Sequence, residues 1–283
     1  MKNSIYSKNI GVYMLKPKKC EIFTVEGITY VGISSNIKEY LTHLSNSNLE
    51  QPYTLTVSDR FIEYDAFSIK EDILLRFIKL GELLDSYGIV DKFYNDISRT
   101  WMFECLEDFK DNSFTYFTNT QDKELIDNSI LDFVNDFGFL GVNNIQSYFW
   151  SDSSFEAIDN FSLSRFAEPI TLIVNDICNF YAFLKQPNPD YSMDFHINVS
   201  LLCNQNKAWK SEYRFDSLWH LIRYSLVTTL TKDGDGLKQC PQCKSWFIPS
   251  NPKAEYCSAS CRNKFNVYKS RKTKSEKMNK KDI

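Results

Sequence analysis

Four cysteines crowd the C-terminal part of the chain as Cys240-x2-Cys243-x13-Cys257-x3-Cys261. Two thiolates three residues apart fit one tight knuckle, from which both sulfurs reach a single ion at metal–sulfur distances near ~2.3 Å. Pro241 and the Gln242-Cys243 pair suit that turn. Such clustering reads as metal binding before disulfides in a chain that shows no secretory features. Four thiolates and no His close the coordination sphere, so the expected cofactor is one structural Zn²⁺ held by Cys240, Cys243, Cys257 and Cys261.

The residues between the two pairs say how they are brought together. Lys244-Ser-Trp-Phe-Ile248 is β-prone and should lead away from the knuckle. Pro249-Ser-Asn-Pro-Lys253 is dense in turn residues, so the chain should reverse there and return as a second strand through Ala254-Glu-Tyr256. Ser258 is placed to cap a helix, from whose first turn Cys261 would project its sulfur. Knuckle, hairpin and helix together describe a treble-clef zinc finger over 237–270.

That helix opens a basic arm. From Arg262 to Ile283 there are nine Lys or Arg and two acids, a balance of +7. The whole chain carries 33 − 36 = −3, so the preceding residues carry 24 − 34 = −10. An acidic body ending in a cationic helix concentrates its positive field in one place. If the helix persists past the last ligand, positions 264, 268, 271 and 272 share a basic side, and Phe265 with Val267 packs back on the finger. Arg262, Asn263, Lys264, Tyr268, Lys269, Arg271, Lys272 and Lys274 are the candidate nucleic-acid contacts. Most would neutralise phosphates, with Arg262, Asn263 and Arg271 able to reach base edges and Tyr268 able to stack. Lys238, Lys244, Lys253 and Arg262 also surround the thiolates and would offset their charge.

The segment Cys240–Tyr268, CPQCKSWFIPSNPKAEYCSASCRNKFNVY, resembles the CGNR-type zinc finger of bacterial transcription regulators. The shared features are the first Cys pair, Trp246-Phe247, Tyr256-Cys257-Ser258 and the basic helix after Cys261. Where that family carries Cys-Gly-Asn-Arg, this chain has Cys261-Arg-Asn-Lys264, and Lys lacks the guanidinium fork. Ile130-Leu-Asp-Phe-Val-Asn135 is similar to a string found in the N-terminal part of such regulators. The resemblance implies a helical sensing or interaction region followed by a nucleic-acid-binding finger. It thus implies a zinc-dependent, DNA-binding transcription regulator with double-stranded DNA as partner and an unknown effector for the body. A single short finger binds weakly alone, which makes a homodimer through the body an expectation. The competing reading is a protein-interaction or RNA-associated module whose zinc is purely structural.

Enzymatic chemistry is not suggested. His43, His196 and His220 are scattered, and none follows the finger's first ligand. There is no phosphate-cradling Gly loop, no Gly-x-Ser-x-Gly elbow and no paired-His motif. Glu71, Glu82 and Asp85 recur at helical intervals and read as a solvated face. Cys20, Cys105, Cys178 and Cys203 are widely spaced and read as buried free thiols. The start, MKNSIYSKNIGVYML, lacks a long apolar stretch and a small-residue cleavage site, and no apolar run nears the ~18 residues of a membrane span. The protein is therefore expected to be cytoplasmic, without membrane contact.

The elements that carry this module are mainly α with minor β. Short β-like runs lie at 11–15, 21–24 and 28–31. Ser68-Ile-Lys-Glu71 has capping-box spacing ahead of a helix through Ile73, Phe77 and Leu84 that should end before Gly88. Helices are also expected over 90–109, after 118–122 through Leu125 toward Gly138, and from about Ser164 to Lys185 with Pro169 in its first turn. A strand near 195–202, a turn at 204–207 and a partner strand at 209–215 follow. Asp216 should cap a helix through Leu218 and Leu230, broken at 233–236. The organisation is thus a mostly helical region 1–236, subdividing at the loop-like stretch 142–161, then the finger at 237–270 and a basic tail at 271–283.

Overall fold

The computed structural model describes residues 13–25, 28–33, 54–55, 61–91, 120–141, 155–156, 167–186, 197–203, 209–215, 217–231 and 236–279. Five helices carry most of it: α1 (Lys70–Ser86), α2 (Thr120–Phe137), α3 (Ile170–Lys185), α4 (Leu218–Leu230) and α5 (Ala259–Asn279). The strands are short: β1 (Tyr13–Pro17), β2 (Glu21–Val25), β3 (Ile28–Gly32), β4 (Thr54–Leu55), β5 (Phe61–Asp65), β6 (Phe155–Glu156), β7 (Ala167–Pro169), β8 (Ile197–Cys203), β9 (Trp209–Phe215), β10 (Lys238–Gln239) and β11 (Trp246–Phe247). The architecture is mainly α with minor β. None of the described helices is long and apolar enough to cross a membrane. The chain divides into two compact units, Met1–Arg223 and Tyr224–Ile283, and the division falls within α4.

In the first unit, a knot of aromatic rings explains why α1, α2 and α3 are amphipathic. Phe77 of α1 lies 5.7 Å from Phe133 of α2, 5.2 Å from Phe180 of α3 and 5.4 Å from Trp219 of α4, centroid to centroid. All four rings are buried, and such offset and edge-on pairs add to the gain from area burial. Gly81 lets α1 and α3 meet closely, because a Cβ there would stand 2.5 Å from the Tyr181 ring. Around the helices, β2, β3 and β7 form an antiparallel sheet, β1 pairs with β5, β4 with β6, and β8 with β9.

Several expectations from the sequence are met and others are displaced. α1 ends at Ser86 ahead of Gly88 (φ +69°), and α2 ends at Phe137 ahead of Gly138 (φ +98°). The capping box does not form. Ser68 is used in the turn after β5, its Oγ donating to the Asp65 carbonyl (2.8 Å) and its N–H to Asp65 Oδ1 (3.2 Å). The helix starts only at Lys70, with Ile69 at the N-cap and no side-chain cap. The helix expected from about Ser164 begins at Ile170, because 167–169 pair with β3 and Pro169 closes that strand. A sheet edge tolerates the missing N–H of proline. Ser217 caps α4, accepting the His220 N–H at 3.2 Å, while Asp216 lies outside the described residues. The expected helix over 90–109 and the turn at 204–207 also lie outside them, apart from a helical turn at 89–91.

A buried carboxylate ties the sheet to the exit of α2. Glu168 on β7 accepts the N–H groups of Leu140 (2.8 Å) and Gly141 (2.5 Å). Two such bonds offset the desolvation of a buried charge. Asp176 on α3 is buried too, and burial pushes its carboxyl up to about 7, Arg223 opposing and Glu168 adding to the rise.

Candidate metal centre

The first cysteine pair sits in a hairpin that differs from the expected one. β10 pairs with β11 in the register Lys238↔Phe247 and Gln239↔Trp246, so the knuckle itself is the hairpin loop. The Cys240 N–H donates to the Ser245 carbonyl (2.9 Å) and the Lys244 N–H to the Cys240 carbonyl (2.8 Å), which folds the loop back under the two sulfurs. Lys244 completes the turn at φ +65°, in the left-handed region that favours glycine. Residues 254–256, expected as a returning strand, form none. The chain reverses instead through turns at Pro249–Lys253, where Asn251 Oδ1 accepts the Lys253 N–H (3.1 Å) and the Asn251 carbonyl accepts the Ala254 N–H (3.0 Å). Lys238 Nζ braces this loop by donating to the Pro252 carbonyl (2.8 Å).

The second pair straddles the start of α5. Ser258 Oγ accepts the Cys261 N–H at 3.2 Å, the cap expected from the sequence. Cys257 therefore lies just before the helix and Cys261 in its first turn. Cys243 Sγ is 3.5 Å from Cys257 Sγ, which is 3.5 Å from Cys261 Sγ, and all four sulfurs lie within 4.8 Å of one another. A regular tetrahedron with metal–sulfur bonds of about 2.3 Å has edges of about 3.8 Å. The quartet accordingly fits one four-coordinate ion. Among the described residues it is the group of His, Cys, Asp and Glu side chains able to hold a metal.

The four sulfurs are not equivalent. Cys240 is buried, Cys261 half-buried, Cys243 and Cys257 exposed. Without metal, burial pushes the Cys240 thiol up, but backbone N–H groups of Cys243, Cys257 and Gln242 outweigh it and bring the thiol down to about 6. Cys257 is pushed the other way, to about 12, by burial and by hydrogen bonding to the thiols of Cys261, Cys243 and Cys240. Four thiols this close cannot all ionise without a cation among them. The α5 N-terminus also favours negative charge at this place.

Beyond Cys261 the helix runs unbroken to Asn279, so the segment read as a tail from 271 is helical as far as that residue. Phe265 packs back on the finger, its ring 5.4 Å from that of Tyr256. Val267, expected to do the same, is 48% exposed, since two residues on from Phe265 it has turned to another face. Arg262, Asn263, Lys264, Tyr268, Lys269 and Arg271 are exposed, and Lys272 and Lys274 lie further along the same helix. The cations do not gather on one side. At about 100° per residue, Lys264 and Arg271 make one row, and Arg262 and Lys269 another roughly opposite.

Elsewhere the sequence candidates separate. Cys20 and Cys178 are buried free thiols, each pushed up to about 12 chiefly by burial. Cys105 lies outside the described residues, and Cys203 is placed by its backbone in β8. His43 and His196 are likewise outside, and His220 is half-buried on α4. Asp85 accepts a hydrogen bond from Lys185 Nζ at 2.7 Å, an ion pair between α1 and α3. The roles of Lys238 and Lys244 in shaping the knuckle carry no compositional signal. Compared with protein-family models, with curated proteins and with solved structures, the chain matches none, so its chemistry is read from its own residues.

Proposed function

We propose that this is a zinc-dependent nucleic-acid-binding protein, acting as a bacterial DNA-binding transcription regulator. The observation that carries the reading is a 21-residue cation-rich helix that carries Cys261 in its first turn and is exposed from Arg262 to Lys264 and from Asn266 to Arg271. Helices of globular proteins typically bury an apolar stripe, and this one, with Phe265 half-buried and its neighbours exposed, buries little of one. Seven Lys or Arg against one acid between Ala259 and Asn279 suit it to a polyanionic partner.

Cys240, Cys243, Cys257 and Cys261 would hold one Zn²⁺, whose role is to cross-link the knuckle to the start of α5. We read the knuckle and helix as a treble-clef type of finger, and the resemblance of 240–268 to CGNR-type fingers points the same way. The anchor presents the cations in a fixed order instead of dispersing them on a loose tail. Phosphate neutralisation then supplies most of the affinity, and the acidic remainder of the chain disfavours non-specific wrapping.

Fluorescence anisotropy of duplex and single-stranded probes against salt tests this. If five cations each neutralise a phosphate of B-DNA, log K falls against log salt with a slope of about −4.5. Replacing Arg262, Lys264, Lys269 and Arg271 together by Gln should reduce that slope to about −1. Absence of binding by the zinc-loaded protein at low salt would leave the centre a structural or protein-docking module. Sequence-blind binding to single strands alone would favour an RNA-associated role.

A further inference from the structure

The circumference of α5 divides into four strips. Arg262 with Lys269, and Lys264 with Arg271, are each seven residues apart, about two turns, and so form two rows along the axis. The rows lie on opposite flanks, because two residues turn the helix by about 200°. Between them on one side lie Cys261, Phe265 and Tyr268, the side that carries the metal ligand and the Tyr256 ring contact. Between them on the other side lie Asn263, Asn266 and Ser270, all exposed, with the exposed Val267 at their edge. This strip faces away from the anchored side and holds no charge from Asn263 to Ser270, with Lys274 and Lys277 coming round to the same side nearer the C-terminal end.

We infer that α5 enters the major groove of B-form DNA by the Asn263–Asn266–Ser270 strip and reads A·T base pairs there. The inference rests on the nucleic-acid reading above and assigns the specificity. The major groove, about 12 Å wide, admits a helix of about 10–12 Å diameter, and its two walls are phosphate rows. Cation rows on opposite flanks match two such walls, which a single basic stripe would not. The uncharged strip then meets the groove floor, where Asn pairs with the N6 and N7 edge of adenine and an apolar side chain meets the thymine methyl. Asn263 and Asn266 supply the first contact and Val267 the second. The deep, narrow major groove of A-form RNA would not admit the helix. Arg262 and Arg271 thereby become phosphate contacts, and Asn266, Val267 and Ser270 join Asn263 as the residues that choose the sequence.

The test is selection from a randomised duplex pool with the full-length, zinc-loaded protein, followed by affinity measurements on the enriched duplex. The expected result is enrichment of A·T pairs and roughly tenfold weaker binding when the enriched adenines are replaced by 7-deazaadenine, which lacks the N7 acceptor. Asn263→Ala and Asn266→Ala should each lose roughly tenfold on the enriched duplex and leave the salt slope unchanged. Uracil in place of thymine should weaken the native protein and not Val267→Ala. Zinc content and circular dichroism of each variant check that the fold is retained. Duplex binding that is indifferent to 7-deazaadenine and to both Asn variants would overturn the inference and leave the nucleic-acid reading standing. No binding to any nucleic acid at low salt would overturn both.

Discussion

The two units of this chain are held together by different physics. Around Phe77, the first buries Ile73, Leu74, Phe180, Ile173 and Ile130 almost completely, and its helices pack through aromatic rings. The second takes in the buried Leu226 at the end of α4, and between 236 and 271 its buried side chains are Leu237, Cys240, Phe247 and Pro249. So small an apolar core stabilises a module by far less than its conformational entropy costs. A bound metal ion would supply the difference there through metal–thiolate bonds.

Metal removal sharpens this contrast most. Structural zinc contributes on the order of 10–16 kcal/mol to such folds near neutral pH. Chelation should therefore melt 237–279, read as loss of helical circular dichroism and of protease resistance after Phe247, with the aromatic near-ultraviolet signal of the first unit retained. Cys240→Ser should do the same, because its sulfur is the buried ligand. A finger that keeps its amide protection in chelator would erase the distinction.

The reciprocal probe is Phe77→Ala. It opens a cavity where three other rings meet and should cost about 3–5 kcal/mol by denaturant titration. Gly81→Ala asks whether that packing is rigid. The new methyl would meet Tyr181 at 2.5 Å, so a loss of about 1–3 kcal/mol is expected.

What the sequence made legible follows the same divide. The four ligands and the Ser258 cap were readable because metal chemistry and capping depend on residue type at short spacing. The ends of α1 and α2 were readable because Gly88 and Gly138 stand at positive φ beyond them. The β10–β11 pairing was not, since two-residue strands carry no periodicity. Pro169 was open to two readings, a first-turn helix residue or the end of a strand, and only pairing with Tyr30 decides between them. Glu168 was silent because its partners, Leu140 and Gly141, lie 28 and 27 residues away. Long-range pairing leaves little trace in local composition.

Proton linkage gives a smaller test of the first unit. The folded chain holds the Asp176 proton up to about pH 7, whereas the unfolded chain releases it near its ordinary value of 3.8. Below pH ~4 both states are protonated, and stability from this group is fully present. As pH rises from there toward 7 only the unfolded chain ionises, so stability falls, by at most about 1.4 kcal/mol per pH unit. Asp176→Asn should flatten that part of the profile in thermal melts. The smallest effect belongs to the knuckle. Lys244→Gly relieves a left-handed residue and should slow zinc release with a gain of about 1 kcal/mol.

The unequal exposure of the four sulfurs has a kinetic consequence. A competing chelator or an oxidant arriving from solvent meets Cys243 and Cys257 before it meets Cys240. Exchange of a bound ion should therefore begin at the exposed pair and end at the buried sulfur. Such an order makes release stepwise and recapture fast, because the last sulfur to leave is also the first one ready to bind again.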